Sequence, residues 1–115
     1  MKTIAIGGRE IPMVRNALSP IIYREIFHKD YLEIVSKLDD TQIGLTSQLY
    51  TEMAFVMAMQ ATKNMEELVR LRKTDYYAWV NQFEDPHAIE FKIDEIASFY
   101  EEQEFAASSA KKEEG

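Results

Sequence analysis

The sequence contains no cysteine and only two histidines. The lack of cysteine excludes a disulfide framework, a thiol nucleophile and a thiolate metal site. His28 and His87 lie far apart in the chain, and neither has carboxylates at the spacing of metal ligands. The only paired glycine, Gly7-Gly8, is too weak a signal for a phosphate-binding loop. We therefore expect a protein that is not an enzyme, with no catalytic residues, no metal and no cofactor.

Long hydrophobic runs are also missing. The longest, Met53–Met59, has seven residues, whereas a membrane-spanning helix needs about 20. Charged residues, from Lys2 to Glu25, interrupt the region where a signal peptide would have its apolar core. The sequence therefore predicts a soluble protein of the cytoplasm.

Positive charge is scarce in the last quarter of the chain. Residues 84–115 contain ten acidic and three basic residues, which accounts for the whole net charge of −7. Because an acidic surface repels phosphate backbones, we expect no binding to nucleic acid. The small basic cluster of Arg70, Arg72 and Lys73 is explained by the dipole at a helix C-terminus, with a salt bridge to the acidic last helix or phosphate binding as alternatives.

The chain begins with two short β-branched runs, Thr3–Ile6 and Ile11–Val14. Gly7-Gly8 lies between them and tolerates the positive φ angles of a tight turn, so we predict a β-hairpin. A lone hairpin is marginally stable in water. It must therefore pack on the helices that follow.

Three local signals predict where helices begin. Ser19 is expected to accept a hydrogen bond from a free amide of the first helical turn, and Pro20 suits the first helical position. Asp30 is expected to cap a helix over Tyr31–Leu38. Asp85-Pro86 repeats the arrangement before the last helix.

Apolar periodicity predicts the remaining helices. One runs from Ile43 to Ala61, a short one lies within Lys63–Lys73, and another follows Thr74. The last helix carries a stripe on one face and Phe91 nearly opposite it; the stripe comprises Ile89, Ile93, Ile96 and Tyr100. We predict a mainly α fold, a small bundle of about five helices with a short N-terminal β-hairpin. Residues 1–105 form the domain and 106–115 a flexible tail.

Methionines and aromatic residues are the candidate partner-binding residues. Three of the six methionines lie within Met53–Met59, and thioether side chains adapt to varied apolar partners. Core packing explains the same residues. The interpretation as a groove that receives a partner's helix selects Phe55, Met57, Met59 and Phe91.

Three stretches resemble a known family. The opening KTIAIGGREIPMVRNALSPIIYREIFHKDYLEIV, the apolar YTEMAFVMAMQA and the tryptophan-containing YYAWVNQFED together resemble tail assembly chaperones of long non-contractile-tailed phages and prophages of Gram-positive bacteria. The order, spacing and total length carry the resemblance. The chain departs from the family pattern at His28, where relatives commonly have glycine, and in the longer, more basic Lys63–Lys73 segment.

The resemblance implies a non-catalytic role in virion assembly in the host cytoplasm. Such chaperones bind the tape measure protein and keep it soluble until tail tube subunits polymerise around it, and they are usually absent from the mature virion. A frameshifted longer form often recruits the tail tube protein, and self-association is possible. Two other hypotheses remain, a small helical adaptor for a different protein and a DNA-binding regulator.

Overall fold

The computed structural model describes residues 1–101 and begins with the predicted β-hairpin. Strands β1 (Lys2–Ile6) and β2 (Arg9–Met13) pair antiparallel, with Ile4 opposite Ile11. Gly7 and Gly8 have φ angles of 56° and 80°, as a two-residue turn with positive φ at both central positions requires. The hairpin is therefore built as its sequence predicts.

The rest of the described chain is mainly helical, which confirms the predicted fold class. Helices α4 and α5 lie within the region that the sequence assigned to two short helices. The helices are α1 (Ser19–Phe27), α2 (Tyr31–Lys37), α3 (Ile43–Thr62), α4 (Met65–Leu68), α5 (Lys73–Asn81), a 3₁₀ turn (Glu90–Lys92) and α6 (93–101).

Helix α3 forms the centre of the core. Every side chain from Glu52 to Ala58 is buried, because the hairpin, α1 and α5 all pack against this helix. Ile4, Ile6 and Met13 point inward from the hairpin and are fully buried. The amide of Val14 also donates a hydrogen bond to the carbonyl oxygen of Met57 at 3.0 Å. The apolar middle of α3 is thus covered by its own chain.

The start of α1 differs from the prediction. Leu18 is the capping residue, and the Ser19 side chain binds no amide of the first helical turn. Its hydroxyl instead accepts from the amide of Asn16 and donates to Gln60 of α3. Ser19 is fully buried, so its hydroxyl serves to join the chain before α1 to the end of α3. Pro20 does lie in the first turn, as predicted.

The other predicted helix starts have different outcomes. Asp30 caps α2 by accepting from the amide of Glu33 at 3.2 Å, which confirms the prediction. Asp85 accepts from the amide of His87 at 2.8 Å, but turns and the 3₁₀ segment follow, and α6 begins only at Ile93. The predicted domain boundary after residue 105 and the tail 106–115 lie outside the described residues.

Candidate functional site

The four residues selected from the sequence do not form one site. Phe55 and Met57 have no exposed surface and belong to the core. Met59 is half-buried and packs against that core. Phe91 is 75% exposed, with its ring centroid 6.2 Å from that of His87. Of the four, Phe91 is therefore the one whose side chain is largely open to a partner in this conformation.

A different apolar surface lies between α1 and α4, and we call it the α1–α4 groove. Its volume is about 200 Å³. Buried or half-buried side chains form its floor, while Ile21, Met65 and Val69 remain 45%, 59% and 74% exposed at its edges. The lining residues are Leu18, Ile21, Ile22, Glu25, Ile26, Met65, Leu68, Val69 and Leu71.

Local structure explains why these apolar side chains stay exposed. Ile21 and Ile22 are neighbours on α1 and point about 100° apart, so Ile22 enters the core and Ile21 does not. Helix α4 is only four residues long. Asn64 fixes its start, since its side chain accepts from the amide of Glu67 at 2.9 Å while the Glu67 carboxylate accepts from the amide of Asn64 at 3.1 Å. Leu68 is then buried, and Met65 and Val69 are left at the surface.

The charges at the groove are unbalanced. Glu66 on α4 and Arg70, two residues beyond the end of α4, form an ion pair at 3.0 Å, so their charges offset each other. Glu25 on α1 is exposed and forms no ion pair or hydrogen bond within residues 1–101. The edge of the groove is therefore apolar with one free carboxylate. The salt bridge that Arg70 forms is therefore with Glu66 and not with the last helix, as the alternative for the basic cluster expected.

A second cleft, of about 350 Å³, lies between α2 and α3. Its floor contains the carboxylate of Glu52, which is 2% exposed. Glu52 accepts hydrogen bonds from the Tyr23 hydroxyl at 2.7 Å and from the Lys29 ammonium at 3.0 Å. Burial, and then the nearby carboxylate, raises the pKa of Tyr23 well above its ordinary value. Every polar group on the floor of this cleft is thus already engaged.

A third polar cluster joins three helices. The hydroxyls of Tyr31 on α2 and Tyr50 on α3 lie 2.9 Å apart, and both donate to the carboxylate of Glu101 on α6. Burial is the main cause that raises the pKa of both tyrosines. The cluster therefore fixes the relative positions of these helices with neutral hydroxyls around one carboxylate.

The two histidines lie at the ends of elements. His28 ends α1, and His87 is exposed in the turn before the 3₁₀ segment, with its Nδ1 3.2 Å from a carboxylate oxygen of Glu90. Within residues 1–101 there is no group of three or more His, Cys, Asp or Glu side chains positioned to hold a metal ion. The same part of the chain contains no helix that is both long enough and apolar enough to span a membrane.

Comparison with protein-family models, curated proteins and solved structures finds no match for this chain.

The α1–α4 groove could not be predicted from apolar periodicity, because Ile21, Met65 and Val69 occupy ordinary apolar positions of short helices. The exposure of Met65 and Val69 follows from the four-residue length of α4, which the structure shows and the sequence did not indicate.

Proposed function

We propose that this protein is a tail assembly chaperone that binds the tape measure protein of a phage or prophage and keeps it soluble during tail assembly. The proposal starts from the resemblance of the three quoted stretches to that family. The α1–α4 groove is the observation that supports it, because the groove exposes apolar side chains on a bundle whose core is otherwise closed. The role is binding alone and includes no catalytic step.

The physical properties of the chain suit such a role. A tape measure protein is a very long helical chain that exposes apolar surface until the tail tube surrounds it. Covering part of that surface with an apolar groove removes it from water. The net charge of −7 then keeps the complexes apart by repulsion.

The proposal extends to partners and location. A frameshifted longer form would recruit the tail tube protein, and copies of the chain would associate along one client. The complex would assemble in the host cytoplasm and be absent from the mature virion. An adaptor for another protein would use the same groove, and the identity of the client distinguishes the two functions.

Co-expression tests the proposal. The tape measure protein of the encoding phage or prophage is produced alone, with this protein, and with a Met65→Gln/Val69→Gln variant, and the soluble fraction of the tape measure protein is measured. We expect the protein to raise that fraction several-fold and the variant to lose most of the effect. The two substituted side chains are exposed, so thermal unfolding of the variant should be unchanged.

The matched control is Leu32→Gln/Ile43→Gln. Both residues are 73% exposed and neither lines the groove, so this variant should keep the client soluble. A tape measure protein that precipitates equally with and without this protein would contradict the proposed function. Equal losses in both double variants would contradict the role of the groove.

A further inference from the structure

We infer that the α1–α4 groove binds one amphipathic helix, which inserts a single large apolar side chain between α1 and α4 and places a lysine or arginine beside Glu25. The inference deepens the proposed function by specifying the chemistry of the client segment. It depends on that function only for the source of the helix.

The volume of the groove limits the apolar contact. A cavity of about 150 Å³ holds a benzene molecule, and the groove measures about 200 Å³. It therefore has room for one leucine, methionine or phenylalanine side chain, while the rest of a helix would lie across the edges. Ile21, Met65 and Val69 are exposed there to receive it.

The lining favours an apolar anchor over a polar one. Ile22, Ile26 and Leu68 form a floor that is 5–7% exposed, and carbon atoms dominate it. A polar side chain inserted there would lose its hydrogen bonds to water without finding replacements. An apolar side chain would displace water from the apolar surfaces of both partners, which favours binding.

Charge determines which amphipathic helices fit. Glu25 lines the groove and has no ionic partner within residues 1–101, whereas Arg70 is held by Glu66. A base on the client helix, three or four residues from the anchor, lies on the same face as the anchor and can approach Glu25. An acid at that position would be repelled by Glu25 and by the net negative charge of the whole chain.

The cleft between α2 and α3 is a poorer site for the same helix. Its floor includes the ion pair of Glu52 and Lys29 together with the Tyr23 hydroxyl. An apolar anchor inserted there would contact Leu38 and Leu49, but it would also remove water from the partly exposed Lys29. The α1–α4 groove carries no such cost.

Synthetic helices test the inference directly. Two fluorescent peptides of about 18 residues, long enough to be partly helical alone, share leucines on one face and differ only in lysine or glutamate beside that face. Binding to the full chain is measured by anisotropy. We expect the lysine peptide to bind roughly two- to fivefold tighter, the worth of one exposed ion pair. Replacing the central leucine by alanine should weaken binding about tenfold.

Variants assign the effect to Glu25. Glu25→Gln should abolish the preference for lysine, and Glu25→Lys should reverse it. Glu84→Lys, an equal charge change at an exposed residue outside the groove, should leave the preference in place. Amide chemical shifts recorded with the lysine peptide should change around α1 and α4.

Several results would overturn the inference. They are equal affinity for both peptides, no binding of either, or shift changes centred on the α2–α3 cleft. If the peptides fail to bind while the chain still keeps the tape measure protein soluble, the inference is wrong and the proposed function stands. If the peptides bind as expected and the tape measure protein precipitates regardless, the proposed function is wrong and the inference stands.

Discussion

At the scale of single residues, His28 occupies a backbone conformation that favours glycine. Its φ and ψ angles are 56° and 37°, and its amide donates to the carbonyl oxygen of Arg24 at 2.8 Å to end α1. It is the one non-glycine residue with a positive φ in residues 1–101. The tail assembly chaperones that this sequence resembles commonly have glycine at the same position. Histidine in place of glycine therefore adds backbone strain there but does not change where α1 ends.

His28→Gly should therefore stabilise the protein. Glycine adopts the left-handed conformation without a clash of its side chain, and we expect a gain of about 0.5–1 kcal/mol in the free energy of unfolding. Urea denaturation measures it. His28→Ala is the control, because alanine keeps the strained Cβ and should give no gain. A glycine variant no more stable than the alanine variant would show that the conformation costs little here.

Glu52 shows how one buried charge is tolerated in an apolar helix. Its carboxylate lies in the run of α3 where every side chain is buried, but Tyr23 and Lys29 supply its hydrogen bonds. The Lys29 side chain is 37% exposed, so the pair keeps contact with water on one side. The sequence could not reveal this arrangement, since its three members come from α1, the following turn and α3.

At the scale of elements, the hairpin acts as part of the core. Its inward side chains, Ile4, Ile6 and Met13, have no exposed surface, while Thr3 on the other face is exposed. The turn also packs closely, since a Cβ added at Gly7 would lie 3.3 Å from the Cβ of Ala88. The hairpin thus covers α3 and contacts the segment before α6.

Substitution on the two faces of β1 tests this role. Ile4→Ala should cost about 2–4 kcal/mol, because it removes a buried side chain and leaves a cavity over α3. Thr3→Ala, one residue away on the exposed face, should change stability by less than about 0.5 kcal/mol.

Removal of residues 1–15 should unfold the domain. Thermal unfolding that is unchanged by this truncation would refute the bracing role of the hairpin.

Helix starts were predictable from the sequence where the signal is purely local. Asp30 caps α2 with its own side chain, and no other element is involved. Ser19 has the same local signal, but Gln60 of α3 and the amide of Asn16 compete for its hydroxyl. The competing partner is 41 residues away along the chain. The tertiary hydrogen bond between Ser19 and Gln60 therefore overrides the local preference of serine for capping a helix.

At the scale of the whole molecule, the sequence identified apolar residues but not which of them the fold would bury. An all-apolar stretch such as Met53–Met59 is buried either by its own chain or by a partner, and periodicity alone leaves both possible. The structure places it under the hairpin, α1 and α5. The exposed apolar groove arises instead at Ile21 and Val69, where neighbouring apolar residues cannot both face the core. Only the fold, which places α4 beside α1 across the groove, brings these residues together.

Four tyrosines make the whole fold sensitive to alkaline pH. Burial raises the pKa of Tyr76 to about 12 from an ordinary value of 10.0, and it raises the pKa of Tyr23, Tyr31 and Tyr50 still further. Above pH 10 the unfolded chain therefore loses these protons while the folded chain keeps them. Their contribution is fully present below pH 10 and is lost as the pH rises through and beyond that value.

We expect the free energy of unfolding to fall by up to about 5.5 kcal/mol per pH unit between about pH 10 and pH 12, which is roughly 1.4 kcal/mol for each tyrosine. Urea denaturation across this range measures the slope, and phenolate absorbance shows whether ionisation coincides with unfolding. Tyr76→Phe is the matched variant, because the Tyr76 hydroxyl makes no hydrogen bond within residues 1–101 and its loss should reduce the slope by about a quarter. A folded protein whose tyrosines ionise near pH 10 without loss of stability would mean that these hydroxyls reach water, and the tightly closed core around α3 would have to be reconsidered.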